Sequence, residues 1–487
     1  MTHDKLSRRG LMQGAAAFGT TALDSQKLLA QQPARAGGPA LPSRPELLIR
    51  GATVLTMDPA VPDLAAGDVH VRDGNIVAVA PGIDAPSAEA IDGAGMIAIP
   101  GFVDTHLHLW TSAFRLFVRA DVPALDYFPV TARLGPLMAP EDSYRAVRLG
   151  LAEALAAGVT TMHNWAHNIR SPAHAEAELT AMREIGFRGR FAYGPAVGMP
   201  DDQPMDFAGL KRIQKEWMPD KENLLTLGIC SRNLGALTIG GSASASSRGV
   251  LTIDQIKRDW DGARALGLPI TMHTSGESPV SALERAGLLG PDVQLVHPLR
   301  NTPEDLAILK ARGVSYSISP QLDARRAARL GEIQLGELLE AGVKASLSTD
   351  HTTSISVDPF ASMRILFALH SHRMGERAPL TLKRLLQLAT IDGAVDLGLA
   401  DRTGSITPGK RADLVLVRTT DVNIAPAPSD PYEAIVSFAM PGNVDTVIVD
   451  GRVLRRAGRF TATDHGKIVA EAREAAMGLR DKAKWPG

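Results

Sequence analysis

Asp104-Thr105-His106-Leu107-His108 closes a short apolar run that begins at Ala98. Residues i and i+2 of a strand point to the same side, so His106 and His108 aim at one point beyond the strand's carboxyl end. The pattern recurs down the chain. Ala98–Asp104 is the first candidate strand, followed by Val159–His163, Arg190–Pro195, Leu224–Cys230 and Leu268–His273, then Val293–His297, Val314–Ser319 and Lys344–Asp350. Most are followed by residues at helical spacing, such as Glu141–Ala156, Ala173–Glu184, Ile253–Ala265 and Pro303–Ala311. Eight strand–helix units over residues 99–401 predict an α/β protein with a (β/α)8 TIM barrel rather than an open sheet.

Two distant stretches share a different character. Leu47–Met57 and Gly67–Ala80 are short and β-branched, broken by Asp73-Gly74-Asn75. Ala412–Val417 and Val444–Leu454 repeat this, with Asp450-Gly451 as the break. Such dipeptides between alternating apolar runs read as hairpins. A small β-sandwich composed of residues 41–98 and 402–462 is therefore expected, with a C-terminal helix over 463–487. The Gly/Ser/Ala-rich segment Asn233–Gly249 fits neither strand nor helix. It follows the fourth strand on the face where barrel active sites lie, as a loop over the site or as a plain surface insertion.

Composition sets the outer bounds. The chain has 487 residues, 45% hydrophobic and 22% charged, with 52 Lys+Arg against 53 Asp+Glu. This balance leaves no electrostatic footprint for nucleic acid or an anionic membrane, so the expected partner is a small molecule. One cysteine, Cys230, excludes an intrachain disulfide and a cysteine-based zinc cluster. At the N-terminus, Ser7-Arg8-Arg9-Gly10-Leu11-Met12 precedes a mild apolar run to Leu23 and a small-residue site at Ala34-Arg35-Ala36. These are the parts of an export signal, and the paired arginines resemble the twin-arginine type, which implies a periplasmic destination. Without a signal there, the protein stays cytoplasmic. The run is too short and too rich in Gly and Ala to span a bilayer permanently.

The chemistry gathers at the strand ends. His106 and His108 close the first strand, His273 the fifth, His297 the sixth and Asp350 the eighth. Six of the 13 histidines (also His163 and His351) lie at or beside predicted strand ends, which chance placement explains poorly. Imidazole with carboxylate suits zinc, iron or another borderline divalent metal.

At these residues the chain resembles the amidohydrolase superfamily. Pro100–His108 is similar to its first-strand signature. Ala389-Thr390-Ile391-Asp392-Gly393-Ala394, with the run Gly404–Leu414, resembles its return into the β domain. The resemblance spans about residues 46–455 and implies a distorted barrel with a β-sandwich built from both ends. Two-metal members carry a lysine at the end of the fourth strand, whereas Leu224–Arg232 holds none. The sequence therefore resembles the one-metal branch of cytosine, pterin and purine aminohydrolases and triazine hydrolases. That branch implies one divalent metal, zinc first and iron second, on His106, His108, His273 and Asp350. It implies His297 as the residue that orients the attacking water or polarises the substrate. A divalent ion brings the pKa of its water to around 7, and Asp350 accepts the proton and passes it toward the leaving group.

The expected activity is hydrolysis of a non-peptide carbon–nitrogen bond in an amide, carbamate, cyclic amide or aminated heterocycle. Three alternatives stand beside it: a heterocycle deaminase, a two-metal dipeptidase-like hydrolase, and a non-catalytic binding protein. Deaminases of this branch have His-x-x-Glu after the fifth strand, but here His273-Thr274-Ser275-Gly276-Glu277 is one residue longer. Glu277 reads equally as a proton shuttle and as an acidic residue at a helix start. His163 and Trp165 read as a substrate-recognition wall or as packing. Trp110 and Arg115, just past the histidine pair, are candidates for the pocket wall, and His351 is a supporting neighbour of Asp350. Barrels of this type often pair, so a homodimer is one expected state.

Overall fold

The computed structural model describes residues 41–218, 223–234, 250–274 and 278–486. The paired arginines of the N-terminal segment and Glu277 lie outside the described residues. Eight parallel strands form one sheet, with helices after the strands: β1 Phe102–Leu107, β2 Val159–Ile169, β3 Arg188–Pro195, β4 Leu225–Cys230, β5 Ile270–His273, β6 Val293–Val296, β7 Ser315–Ile318 and β8 Lys344–Leu347. All six residues of β1 and all eleven of β2 are buried, as strands covered on both faces must be. The barrel closes through the candidate site itself. His108 N–H donates to the Asp350 carbonyl at 2.7 Å, and Asp350 N–H donates to the His106 carbonyl at 2.8 Å.

Two strands differ from the sequence expectation. The first is divided: Met96–Pro100 pairs antiparallel with Leu414–Arg418 in the β domain, and the barrel begins only at Phe102. Gly101 makes the joint, because a Cβ there would lie 2.1 Å from Thr160 Oγ1. No side chain fits where the chain crosses into the barrel. The second difference is β2, which runs on to Ile169 instead of ending at His163 and pairs with β3 as far as Pro195. Polar residues stand on both of its faces, His163 and His167 inward and Asn164 against Glu178 of the covering helix, so the usual apolar signature of a barrel strand is missing there.

The β domain is a nine-stranded mixed sheet drawn from both ends of the chain. Its main path runs 459–460, 452–456, 444–449, 414–418, 96–100, 47–54, 64–72, 75–80, with 89–92 pairing beside 47–54. Alternation explains its placement. Leu414, Leu416, Ala98 and Ile448 join Leu47, Ile49, Val69 and Val71 in the domain's own core. The intervening Val415, Val417, Ile97, Ile99 and Val447 pack into the barrel's core. Both expected hairpins form, and in each break the two central residues are left-handed: Asp73 (φ 52°) with Gly74 (79°), and Asp450 (55°) with Gly451 (75°). Buried Arg188, at the start of β3, bonds Asp413 at 2.5 Å and Asp450 at 3.2 Å, tying barrel to β domain.

The expected helices appear as Pro140–Ala156, Pro172–Ile185, Ile253–Ala265 and Pro303–Arg312. A last helix, His465–Lys482, is capped by Asp464 and rests on Pro140–Ala156 through Arg148–Glu471 and Lys482–Asp142 pairs. Of the Gly/Ser/Ala-rich segment, Asn233–Leu234 pairs in parallel with Val250–Leu251, and residues 235–249 lie outside the described residues. Among the described residues no helix is long and apolar enough to cross a membrane.

Candidate metal centre

Four buried side chains converge at the carboxyl end of the barrel. His106, His273, His297 and Asp350 each offer an atom, and all four atoms lie within 4.8 Å of one another. His106 Nε2 is 3.3 Å from His273 Nε2 and 3.4 Å from Asp350 Oδ1, and His108 Nε2 is 3.2 Å from that same oxygen. Zinc binds imidazole and carboxylate at about 2.0–2.1 Å, so two ligands on a tetrahedral ion stand roughly 3.3–3.4 Å apart. The three spacings match that edge. The donor set therefore fits a divalent cation.

The strands that supply these groups end in strained backbone. His297 (φ 70°) and Asp350 (φ 76°) are both left-handed, a conformation that costs a non-glycine residue about 1–3 kcal/mol and persists only when the surroundings impose it. Those surroundings are hydrogen bonds. Thr274 Oγ1 donates to the Val296 and His297 carbonyls at 2.8 and 2.9 Å, and Asp350 is held by the backbone pair that closes the barrel. Beneath the cluster, Thr105 Oγ1 lies 2.8 Å from Ser317 Oγ and 2.9 Å from Ser346 Oγ.

Charge follows burial and neighbours. Burial pushes the Asp350 carboxyl up, but contacts with His106 and His108 overrule it and hold the group well below the usual carboxylate range. Asp350 is therefore ionised, as a metal ligand must be. Burial pushes Asp104 up to about 6 against hydrogen bonds from Thr349 and the His106 backbone. Asp104 does not join the cluster; its Oδ2 accepts from Thr349 Oγ1 at 2.5 Å and its Oδ1 from His106 N–H at 3.2 Å, bracing β1 against β8.

The inward face of β2 rises past the cluster in steps of two residues. His163 is lowest; its Nδ1–H donates to the Thr105 carbonyl at 2.9 Å, and burial keeps it well below the usual histidine range, hence neutral. Trp165 stands at the level of the cluster, with its ring centroid 3.8 Å from that of His273 and 4.6 Å from that of His106. His167 is uppermost, 4.4 Å from the ring of His108. Trp165, His167 and His273 border a cleft together with Pro195, Cys230 and Arg232.

The remaining sequence candidates lie elsewhere. Trp110 is fully buried among Phe114, Phe117 and Val130, and its indole N–H donates to His167 Nδ1 at 3.2 Å. It backs the cleft residue instead of lining the cleft. Arg115 donates to the Thr352 carbonyl at 2.6 Å and pairs with Glu153, so its guanidinium is taken up away from the histidines. His351 stacks on Tyr127 at 4.3 Å and bonds Thr353 at 2.8 Å.

Three residues escaped the sequence reading. Asp323, buried on the helix Pro320–Leu330 after β7, accepts from His297 Nδ1–H at 2.7 Å. With the Asp323 oxygen as acceptor, a proton sits on Nδ1 and Nε2 is left to face Asp350, 3.8 Å away. Arg326, one turn further on that helix, reaches Asp350 Oδ2 at 3.5 Å. His167 is the third. Where a two-metal site would need a fourth-strand ligand, Arg232 follows β4, bonded to the Pro200 and Gln203 carbonyls and to Asp259.

The Amidohydrolase family profile matches residues 97–454, the barrel with most of the second half of the β domain. The chain belongs to the amidohydrolase family. It is accordingly a metal-dependent hydrolase of non-peptide carbon–nitrogen bonds, acting on a small molecule. Among its relatives, a 5-methylthioadenosine/S-adenosylhomocysteine deaminase of Pelotomaculum thermopropionicum is 28% identical over 89% of this chain and 98% of its own. A 5'-deoxyadenosine deaminase of Methanosarcina acetivorans is 27% identical over 90% and 99%. Among solved structures, a zinc-bound adenosine deaminase from Xanthomonas campestris superposes with a TM-score of 0.75 at 22% identity, covering 90% of this chain and all of that one. The zinc complex of atrazine chlorohydrolase from Arthrobacter aurescens gives 0.73 at 22%, covering 88% and 100%. At that identity these two speak to the fold.

Proposed function

We propose that this amidohydrolase holds one zinc ion on His106, His108, His273 and Asp350 and hydrolyses a carbon–nitrogen bond of a small, nucleoside-sized or smaller molecule. One observation carries the reading: neighbouring donor atoms stand 3.2, 3.3 and 3.4 Å apart, close to the edge of a zinc tetrahedron. A divalent cation there supplies Lewis acidity and makes the attacking water ionisable near neutral pH. Asp350, ionised and in contact with the cluster, takes the water's proton and hands it to the departing nitrogen. His297, with Asp323 fixing its proton on Nδ1, presents Nε2 as an acceptor that orients the attacking water. Trp165 and His167 wall the cleft on the β2 side and exclude bulk water there.

The relatives that deaminate adenosine derivatives support a second reading, loss of ammonia from an aminated heterocycle. Glu277 would then carry the proton to the ring nitrogen. Zinc quantification on purified protein, coupled to a screen for released ammonia and amines, separates the readings. Ammonia from aminated heterocycles supports deamination, and amines from amides or carbamates support the broader hydrolase. Two metals per chain would contradict both. We also propose that residues 1–40 direct export of the folded protein to the periplasm through the paired arginines Arg8-Arg9.

A further inference from the structure

Two arginines border the centre, and they differ in what their charge is doing. Arg232 spends its Nη1 and Nη2 on the Pro200 and Gln203 carbonyls and on Asp259, all 2.7–3.2 Å away. Arg326 is arranged otherwise. Its side chain is 13% exposed, and among the described residues its one ion pair is with Asp350, at 3.5 Å. It shares a helix face with Asp323 three residues earlier, so both point at the site, and its guanidinium lies 5.7 Å from the Phe128 ring.

Asp350 serves this cation only in part: its Oδ1 faces His106 and His108, and its Oδ2 stands 3.5 Å from Arg326, longer than a charge-assisted hydrogen bond, which leaves the guanidinium with N–H donors to spare. Asp323 is taken by His297 at 2.7 Å. With a divalent ion in place, Arg326 becomes a second positive charge beside it in a low-dielectric site, a cost that an arriving anion removes. A guanidinium offers a planar fork of N–H donors that matches a carboxylate with two parallel bonds. The Phe128 ring, 5.7 Å from the guanidinium, offers a flat apolar face beside that fork.

Resting on the hydrolase reading above, we propose that Arg326 is a specificity residue that binds a carboxylate on the substrate, a few bonds from the scissile carbon–nitrogen bond. The substrate class is then an anionic amide or ureide, such as an N-acyl or N-carbamoyl amino acid, in preference to its neutral counterpart.

The test uses zinc-loaded protein and matched pairs: N-benzoylglycine, N-acetylphenylalanine and N-carbamoylalanine, each beside its N-methylamide. Calorimetric binding and KM are measured for wild type, Arg326→Met and Arg326→Lys. The expected result is an acid member bound about tenfold or more tightly than its amide in at least one pair. In Arg326→Met that ratio collapses toward one through KM, and Arg326→Lys restores part of it. Wild type showing no acid preference in any pair, or Arg326→Met retaining one, overturns the inference. Zinc content of the same samples separates the two levels: one zinc with indifferent binding sinks only Arg326, and absence of stoichiometric zinc sinks the hydrolase reading beneath it.

Discussion

Glu178→Gln will make the protein more stable at neutral pH, and the gain will grow with pH. Glu178 sits on the helix Pro172–Ile185 with no exposed surface, its Oε2 accepting from Asn164 Nδ2 at 2.9 Å. Burial pushes its carboxyl from 4.5 up to about 8, against the pull of that hydrogen bond. The folded protein therefore keeps a proton that the unfolded chain gives up. Such a group contributes fully below pH 4.5 and loses its contribution as pH rises toward 8. Each unit of pH in that window costs about 1.4 kcal/mol, so between 4.5 and 7 about 3 kcal/mol has gone. Glutamine keeps the carbonyl that accepts from Asn164 and has no proton to lose. Denaturant unfolding of both proteins, metal-loaded, at pH 5, 6, 7 and 8 measures the effect. The stability difference in favour of Glu178→Gln should widen by about 1.4 kcal/mol per unit up to pH 7 or so. Parallel pH profiles for the two proteins would refute the reasoning and place Glu178 in contact with water or a cation.

Asp323→Asn removes the charge that orients His297 across 2.7 Å; kcat should fall by roughly 10–100-fold with zinc content unchanged, as measured by kinetics and metal analysis. Gly101→Ala forces a Cβ to within 2.1 Å of Thr160 Oγ1 and should cost about 1–3 kcal/mol, read as a lowered melting temperature. Replacing Arg8 and Arg9 with lysines should retain the full-length protein in the cytoplasm, as fractionation would report.

Much of the fold was legible because its signals are local. Asp73-Gly74 and Asp450-Gly451 announce their hairpins by residue type alone, since both positions need left-handed backbone. The five residues proposed for the chemistry stand at strand ends in a regular order, and a barrel brings strand ends together. What stayed hidden depends on partners distant in sequence. Asp323 lies 26 residues from the histidine it orients, and on a helix start it reads like any acidic residue complementing the helix dipole. Arg326 reads as a solvated helix charge until the helix is placed against Asp350. Trp110 and Arg115 misled through proximity to the histidine pair: the 3-10 turn Leu109–Leu116 carries one into an apolar cluster and the other to Glu153. The polar inward face of β2 hid the strand's extension to Ile169, and with it the role of His167.

Metal stoichiometry tests the central claim most directly. Purified protein, stripped with a chelator and reconstituted with zinc, should bind one ion per chain, and activity should return in step with occupancy. His106→Ala and His273→Ala should each lose the ion while remaining folded by circular dichroism. Two equivalents per chain, or full zinc occupancy in both variants, would contradict the one-metal centre built on these residues.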